Sequence, residues 1–218
     1  MAADIPVLPR PLRGSAGAAA AVAVLVAGVL AWRYAGESDA RWLDSRLQAV
    51  VGSAGPGRSP LDAVIVLGGE VAVVVLAVLI AGLALALGRR RIAVLAIVGP
   101  GLTGLATTAL KPVIGRTFGD EYAFPSGHTG GATALGVVTA LLMIQVLRTA
   151  TGASAAVLAV GALLPGGTMA VALTAGREHH PTDTIGGFCV AVAVVLASAL
   201  VIDRAADRWR LRRADPAA

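Results

Sequence analysis

The sequence predicts an all-α polytopic membrane protein, a bundle of six transmembrane helices. Apolar residues make up 56% of the 218-residue chain and charged residues only 14%, against roughly 25% charged in soluble domains. The apolar residues gather into six runs, each near the ~20 residues that cross a bilayer core as a helix. Most of the arginines stand at the ends of those runs, where a membrane protein keeps its charge. A globule of this size has no interior for so much apolar surface, so lipid takes the place of water.

The expected spans are 14–34, 63–88, 92–110, 129–147, 153–175 and 184–203, in one integral membrane domain covering 1–218. The first follows Arg10 and Arg13, a pattern shared by signal peptides. Its length, with no small-x-small cleavage site after it, favours an anchor. The second carries one charge, Glu70. A carboxylate within a span is costly and usually paired, so Glu70 is expected to pair with Arg116 or Arg177, or else to sit protonated. The third contains Gly99-Pro100-Gly101 and is expected to kink there. The fourth begins after Phe124-Pro125-Ser126-Gly127-His128-Thr129, and the fifth is interrupted by Pro165-Gly166-Gly167. The sixth holds the single cysteine, Cys189, which reads as a small buried hydrophobe and leaves no disulfide framework. Residues 204–218 form a basic tail, expected to be a solvated helix end followed by disorder.

A formal charge of +5 is one mark of a nucleic-acid partner, but the distribution of the basic residues gives another reason for it. With the N-terminus inside, the inner segments hold eleven basic residues and the outer segments seven: Arg33, Arg41, Arg46, Arg58, Lys111, Arg116 and Arg177. That bias places both termini in the cytoplasm and needs no nucleic acid. In the outer loop, Arg41-Trp42-Leu43-Asp44-Ser45-Arg46-Leu47 suggests a short amphipathic helix on the membrane surface. Trp32, Tyr34 and Trp42 are expected at headgroup level. Small residues at Gly130-Gly131, Gly136, Gly186 and Gly187 read as sites of close helix packing.

Three polar islands then share the outer face. One holds Lys111, the only lysine, with Arg116. The second is Ser126-Gly127-His128, and the third Arg177-Glu178-His179-His180-Pro181-Thr182-Asp183. Lysine and arginine suit phosphate, as point charge and as bidentate fork. Pro-Ser-Gly before an apolar helix leaves free N–H groups at a dipole end that favours anions. His179 and Asp183 are four apart, a spacing at which the carboxylate can hold one imidazole tautomer. An oriented histidine can attack phosphorus, and His128 can give a proton to the leaving oxygen. A metal held by the histidines and Asp183 is disfavoured by the neighbouring cations. His180 reads as an adjacent solvated residue, and Asp120 and Glu121 as solvated loop charges.

The order Lys … Pro-Ser-Gly-His … His-x-x-x-Asp from Lys111 to Asp183 resembles the type 2 phosphatidate phosphatase superfamily, which includes membrane lipid phosphatases and vanadium haloperoxidases. The resemblance implies His179 as nucleophile, Asp183 as its orienter and His128 as general acid. It implies Lys111, Ser126 and the Gly127 backbone as holders of the phosphoryl oxygens. Two departures stand out. The family's Arg-Pro falls where this chain has Phe118 and Gly119, and its Ser-Arg where this chain has Ala172 and Leu173. Arg116 and Arg177 are expected to substitute from neighbouring positions.

The expected function is hydrolysis of a lipid phosphomonoester or pyrophosphate through a phosphohistidine, without cofactor or metal. Substrate candidates are phosphatidic acid, phosphatidylglycerol phosphate and polyprenyl phosphates or pyrophosphates. A phosphotransferase with the same intermediate and a non-catalytic lipid-phosphate binder or transporter are the alternatives. The expected setting is the plasma membrane, with the site on the outer face; oligomeric state is left open.

Overall fold

The computed structural model describes residues 5–52 and 60–214, with side chains to residue 210 in the last helix. Arg58 of the outer loop, the side chains of Arg212 and Arg213, and the last four tail residues lie outside this set. After a short 3-10 turn (Arg10–Leu12) come α1 (Arg13–Tyr34), α2 (Trp42–Val51), α3 (Pro60–Gly68), α4 (Glu70–Ala86) and α5 (Arg90–Ile114). A hairpin of β1 (Thr117–Phe118) and β2 (Glu121–Tyr122) leads to α6 (Gly127–Leu147), α7 (Thr151–Ala175) and α8 (Pro181–Ala214).

Five helices are long and apolar enough to cross a membrane: α1 with its 3-10 turn, α5, α6, α7 and α8. The expected second span is not one helix. It breaks between Gly68 and Glu70 into α3 and α4, bent by 69°, and makes a sixth candidate if the pair counts as one span. The break has a local cause. Gly68 and Gly69 are poor helix residues, Gly69 sits in the extended N-cap conformation, and Glu70 opens α4, where a carboxylate is favoured by the dipole.

The other two interruptions do not break their helices. Helix α5 runs through Gly99-Pro100-Gly101 and past Lys111-Pro112. It ends at Gly115, whose left-handed φ of 69° lets its N–H reach the Lys111 carbonyl at 2.9 Å, a standard glycine termination. Helix α7 runs through Pro165. Neighbouring helices supply the packing that lets spans tolerate such residues.

Helix α6 is the most enclosed span and packs against α5, α7, α8 and the α3–α4 pair, while α1 packs along α8. The glycines permit this closeness, as expected. A Cβ on Gly136 would overlap the Gly161 carbonyl of α7, and one on Gly187 of α8 would overlap the Ser126 carbonyl. The main apolar core gathers Ile92, Leu95, Val137, Val138, Leu141, Val195 and Leu196 from α5, α6 and α8, and Cys189 is buried in α8. The opposite sides of the helices leave Leu25, Val29, Leu79, Leu83, Leu163 and Leu164 exposed, the surface that lipid covers.

Alternating helix directions place the ends of α1, α5 and α7 and the starts of α4, α6 and α8 at one end of the bundle. Hydrogen bonds tie that end together: Gly36 N–H to the Ile114 carbonyl (2.9 Å), Ser126 N–H to the Asp183 carbonyl (3.0 Å), and the Gln48 amide to the Thr174 carbonyl (3.0 Å).

At the other end, Asp203 of α8 is 1% exposed. It accepts from the Val7 N–H (2.8 Å) and the Leu8 N–H (3.0 Å), and pairs with Arg91 at 2.9 Å and Arg13 at 3.2 Å. Beyond it Arg204, Arg208, Trp209 and Arg210 are exposed. The helix continues to Ala214, and Asp207 also binds Arg13 at 3.2 Å and Arg91 at 3.4 Å.

Candidate active site

The start of α6 forms as its sequence dictates. Ser126 has extended backbone geometry and caps the helix, its Oγ accepting from the Thr129 N–H at 3.4 Å. Expected among the substrate ligands, it is enclosed here, and its Oγ accepts from Thr129 as a helix cap. Gly127 and His128 are half-buried and open to a cavity of about 490 Å³.

That cavity lies between α4, α5 and α6. Lys111, in the last turn of α5, lines its polar end with Glu70, Thr107, Thr108, Gly127 and His128. Its walls continue along Val74, Val78, Ile97 and Leu105, residues of the apolar faces of α4 and α5. A polar head beside an apolar trough fits an amphiphile. The Ser126 N–H on the Asp183 carbonyl, at 3.0 Å, holds the two histidine islands side by side, although His179 is not among the residues lining this cavity.

His179 lies just ahead of α8 rather than on it. Pro181 takes the first helical position, His180 is the cap, and Asp183 is in the first turn. Asp183 reaches back to the His180 N–H at 3.0 Å through Oδ2, the reciprocal half of a capping box. The same Oδ2 stands 3.6 Å from His179 Nδ1. That is too long for a hydrogen bond, and Nδ1 is buried without a partner among the described residues. Catalytic hydrogen bonds are commonly long before substrate arrives and tighten in the complex.

Arg116 is a correction to the expected phosphate ligands. It is fully enclosed, with Nη2 on Asp44 Oδ2 and Nη1 on Asp183 Oδ1, both at 2.7 Å, and Nη1 also on the Thr182 hydroxyl. The Tyr34 ring lies 4.3 Å from its guanidinium carbon. Tyr34 is therefore buried under Arg116 and absent from the headgroup belt, whereas Trp32 and Trp42 are 81% and 72% exposed. Helix α2 does expose Trp42, with Arg46 over its ring. Its Asp44, however, turns inward and is fully buried. Sequence reasoning missed Asp44 and Tyr34. The only signal was an acidic residue on the apolar side of α2's pattern.

Arg177 is exposed, at a left-handed φ of 56°. It lines a different cavity, with Ser45, Gln48 and His180, and is absent from the walls holding Lys111 and His128. Where the family carries its two arginines, Phe118 packs edge-on against His180 with ring centroids 4.8 Å apart, and Leu173 is fully buried. His180 is thus a packed residue, 7% exposed, not a solvated one. Glu70 is exposed on the cavity wall and pairs with neither expected arginine, because Arg116 is already engaged and Arg177 faces elsewhere. Asp120 and Glu121 are exposed in the hairpin, as expected.

No curated protein matches this chain. One solved structure that matches is that of a transmembrane PAP2-type phosphatidylglycerolphosphate phosphatase from Bacillus subtilis. It superposes with a TM-score of 0.65 at 19% identity, over 87% of this chain and 96% of that one, a likeness of fold. The family model described as "PAP2 superfamily" matches residues 92–207. That match runs from the first turn of α5 to the end of the bundle, enclosing Lys111, His128, His179 and Asp183, and so this chain belongs to the PAP2 superfamily.

Proposed function

We propose that the protein is an integral membrane phosphatase acting on a lipid phosphomonoester or pyrophosphate, with the headgroup at Lys111, Gly127 and His128. The observation that carries this reading is the cavity whose polar end holds Lys111 and His128 and whose apolar walls follow α4 and α5. Acyl or polyprenyl chains would lie along those walls while the phosphate meets the α6 N-terminus.

In this reading His179 Nε2 attacks phosphorus and the bond to the lipid oxygen breaks. His128 gives its proton to that oxygen, which leaves as an alcohol or phosphate. Water then attacks the phosphohistidine, His128 takes up its proton, and inorganic phosphate departs. Lys111 and the free amides at the start of α6 hold the phosphoryl oxygens. Asp183 keeps Nε2 as the attacking nitrogen by facing Nδ1. Both termini lie in the cytoplasm and the site on the outer face of the plasma membrane, a placement supported by the bias in basic residues.

The test is phosphate release by purified protein from a panel of lipid phosphates, with His179→Ala as blank. The intact protein is expected to release phosphate from at least one lipid, and the variant, still folded in detergent, from none. Equal release by both would sink the nucleophile assignment. A second reading, a non-catalytic lipid-phosphate binder, is favoured by Phe118 and Leu173 standing where arginines are usual. It predicts lipid-phosphate binding with no phosphate release by either protein.

A further inference from the structure

We infer that Asp44 and Arg116 are positioning residues for His179, acting through Asp183. The inference rests on the phosphatase reading of the site. Asp44 lies in α2, outside the residues matched by the family model, and its carboxylate accepts three hydrogen bonds from two residues. Oδ1 accepts from the Thr182 N–H at 3.0 Å and the Thr182 hydroxyl at 2.7 Å, and Oδ2 accepts from Arg116 at 2.7 Å. Arg116 hands the constraint on, because its other terminal nitrogen holds Asp183 Oδ1 at 2.7 Å. Asp183 Oδ2 is steadied from its own helix by the His180 N–H at 3.0 Å. The carboxylate is thus gripped at both oxygens, and Oδ2 stands 3.6 Å from His179 Nδ1.

The charge balance points the same way. Asp44, Arg116 and Asp183 are each 0% exposed, and two carboxylates against one guanidinium leave one negative charge in surplus. A buried unpaired charge is costly, and the group nearest this one is an imidazole whose Nδ1 has no partner among the described residues. Imidazole becomes cationic when its Nε2 is phosphorylated, so the surplus charge stabilises that state more than the resting one. Differential stabilisation of this kind raises turnover rather than substrate affinity. Without the charge of Asp44, Arg116 would neutralise Asp183 alone, and the cluster would carry no surplus towards His179.

A purely structural role for the cluster, tying α2 and the hairpin to α8, makes a different prediction. The experiment measures phosphate release by full-length protein in detergent, with Asp44→Asn made in the intact and in the Asp183→Asn backgrounds. In the intact background kcat is expected to fall about 10- to 100-fold, the scale for outer partners that orient a working histidine, with KM within about twofold. In the Asp183→Asn background the same change is expected to alter kcat by less than about twofold, because the route it acts through is gone.

Thermal melting checks that the variants fold. If Asp44→Asn does not, Thr182→Val serves in its place, since it removes only the hydroxyl shared by Asp44 and Arg116. It is expected to lower kcat about three- to tenfold with the same dependence on Asp183. An unchanged kcat, or an equal loss in both backgrounds, overturns the positioning role and leaves the phosphatase reading intact. Silence of the unaltered protein on every lipid phosphate overturns both.

Discussion

The two ends of the bundle each hold a network of aspartates and arginines around a buried carboxylate, and the two networks serve opposite purposes. At the 203 end, Asp203 and Asp207 face Arg13 and Arg91, and Asp203 also takes two backbone N–H groups from the N-terminal segment. Charge is balanced and that carboxylate's acceptors are filled, so the network acts as a clasp holding Val7 and Leu8 in the core. At the 183 end two aspartates share one arginine, and Nδ1 of the adjacent histidine has no partner among the described residues. A closed network stabilises; an open one is left able to respond to a charge that appears during a reaction. The same residue types therefore serve different purposes, decided by whether the charges cancel.

The largest effect that would break this contrast is on stability. Asp203→Ala leaves the buried Arg91 without its closest carboxylate and is expected to cost about 3–5 kcal/mol. Denaturation in detergent would report this as a lower midpoint, while phosphate release per folded molecule stays unchanged. An activity loss without destabilisation would mean that the clasp is not merely structural. Next comes Lys111→Gln, which removes the one Lys or Arg among the described residues lining that cavity. It is expected to reduce kcat/KM by about 10- to 100-fold, the worth of one charge-assisted phosphate contact at roughly 1.5–3 kcal/mol, with little change in melting.

A smaller effect is expected from Glu70→Gln. Its carboxylate shares the cavity wall with Lys111 and opposes an anionic headgroup, so neutralising it should tighten the apparent KM about two- to threefold, in keeping with an exposed charge in high dielectric. A weaker KM would instead mean that Glu70 holds a hydrogen-bond donor of the substrate. The smallest effect is assigned to Arg177→Gln, at less than about twofold, because its side chain lines the other cavity and an exposed charge away from the substrate is worth little. A large loss in kcat/KM there would return Arg177 to the phosphate site and undo the contrast between the two cavities.

Much of the fold was legible because it rests on local composition. Long apolar stretches can satisfy their backbone in lipid only as helices, so α1, α5, α6, α7 and α8 follow from their runs. The Gly68–Glu70 break was not foreseen, because hydropathy averaged over a window passes over two glycines and one carboxylate. Conversely, Pro100 and Pro165 suggested interruptions where the helices continue unbroken. At the site, the Pro-Ser-Gly start of α6 is set by adjacent residues and could be read directly, whereas the Asp183 contact to the His180 N–H was not foreseen. The partners of Arg116 could not: Asp44 and Asp183 are 72 and 67 residues away from it, and no local pattern marks such a pairing.

The sequence by itself determined that this is a membrane-spanning helical protein, and that Lys111, His128, His179 and Asp183 belong to one end of it. Those conclusions follow from hydrophobic run length and from the alternation of helix directions, which need no knowledge of packing. Only the tertiary structure decided which cations remain free to meet a substrate. It buried Arg116 between two carboxylates, turned Arg177 to a separate cavity, and left Lys111 with His128 at the head of an apolar trough. The physical reason is that a charge's role depends on its partners and its solvent, and both are fixed by contacts between residues far apart in the chain.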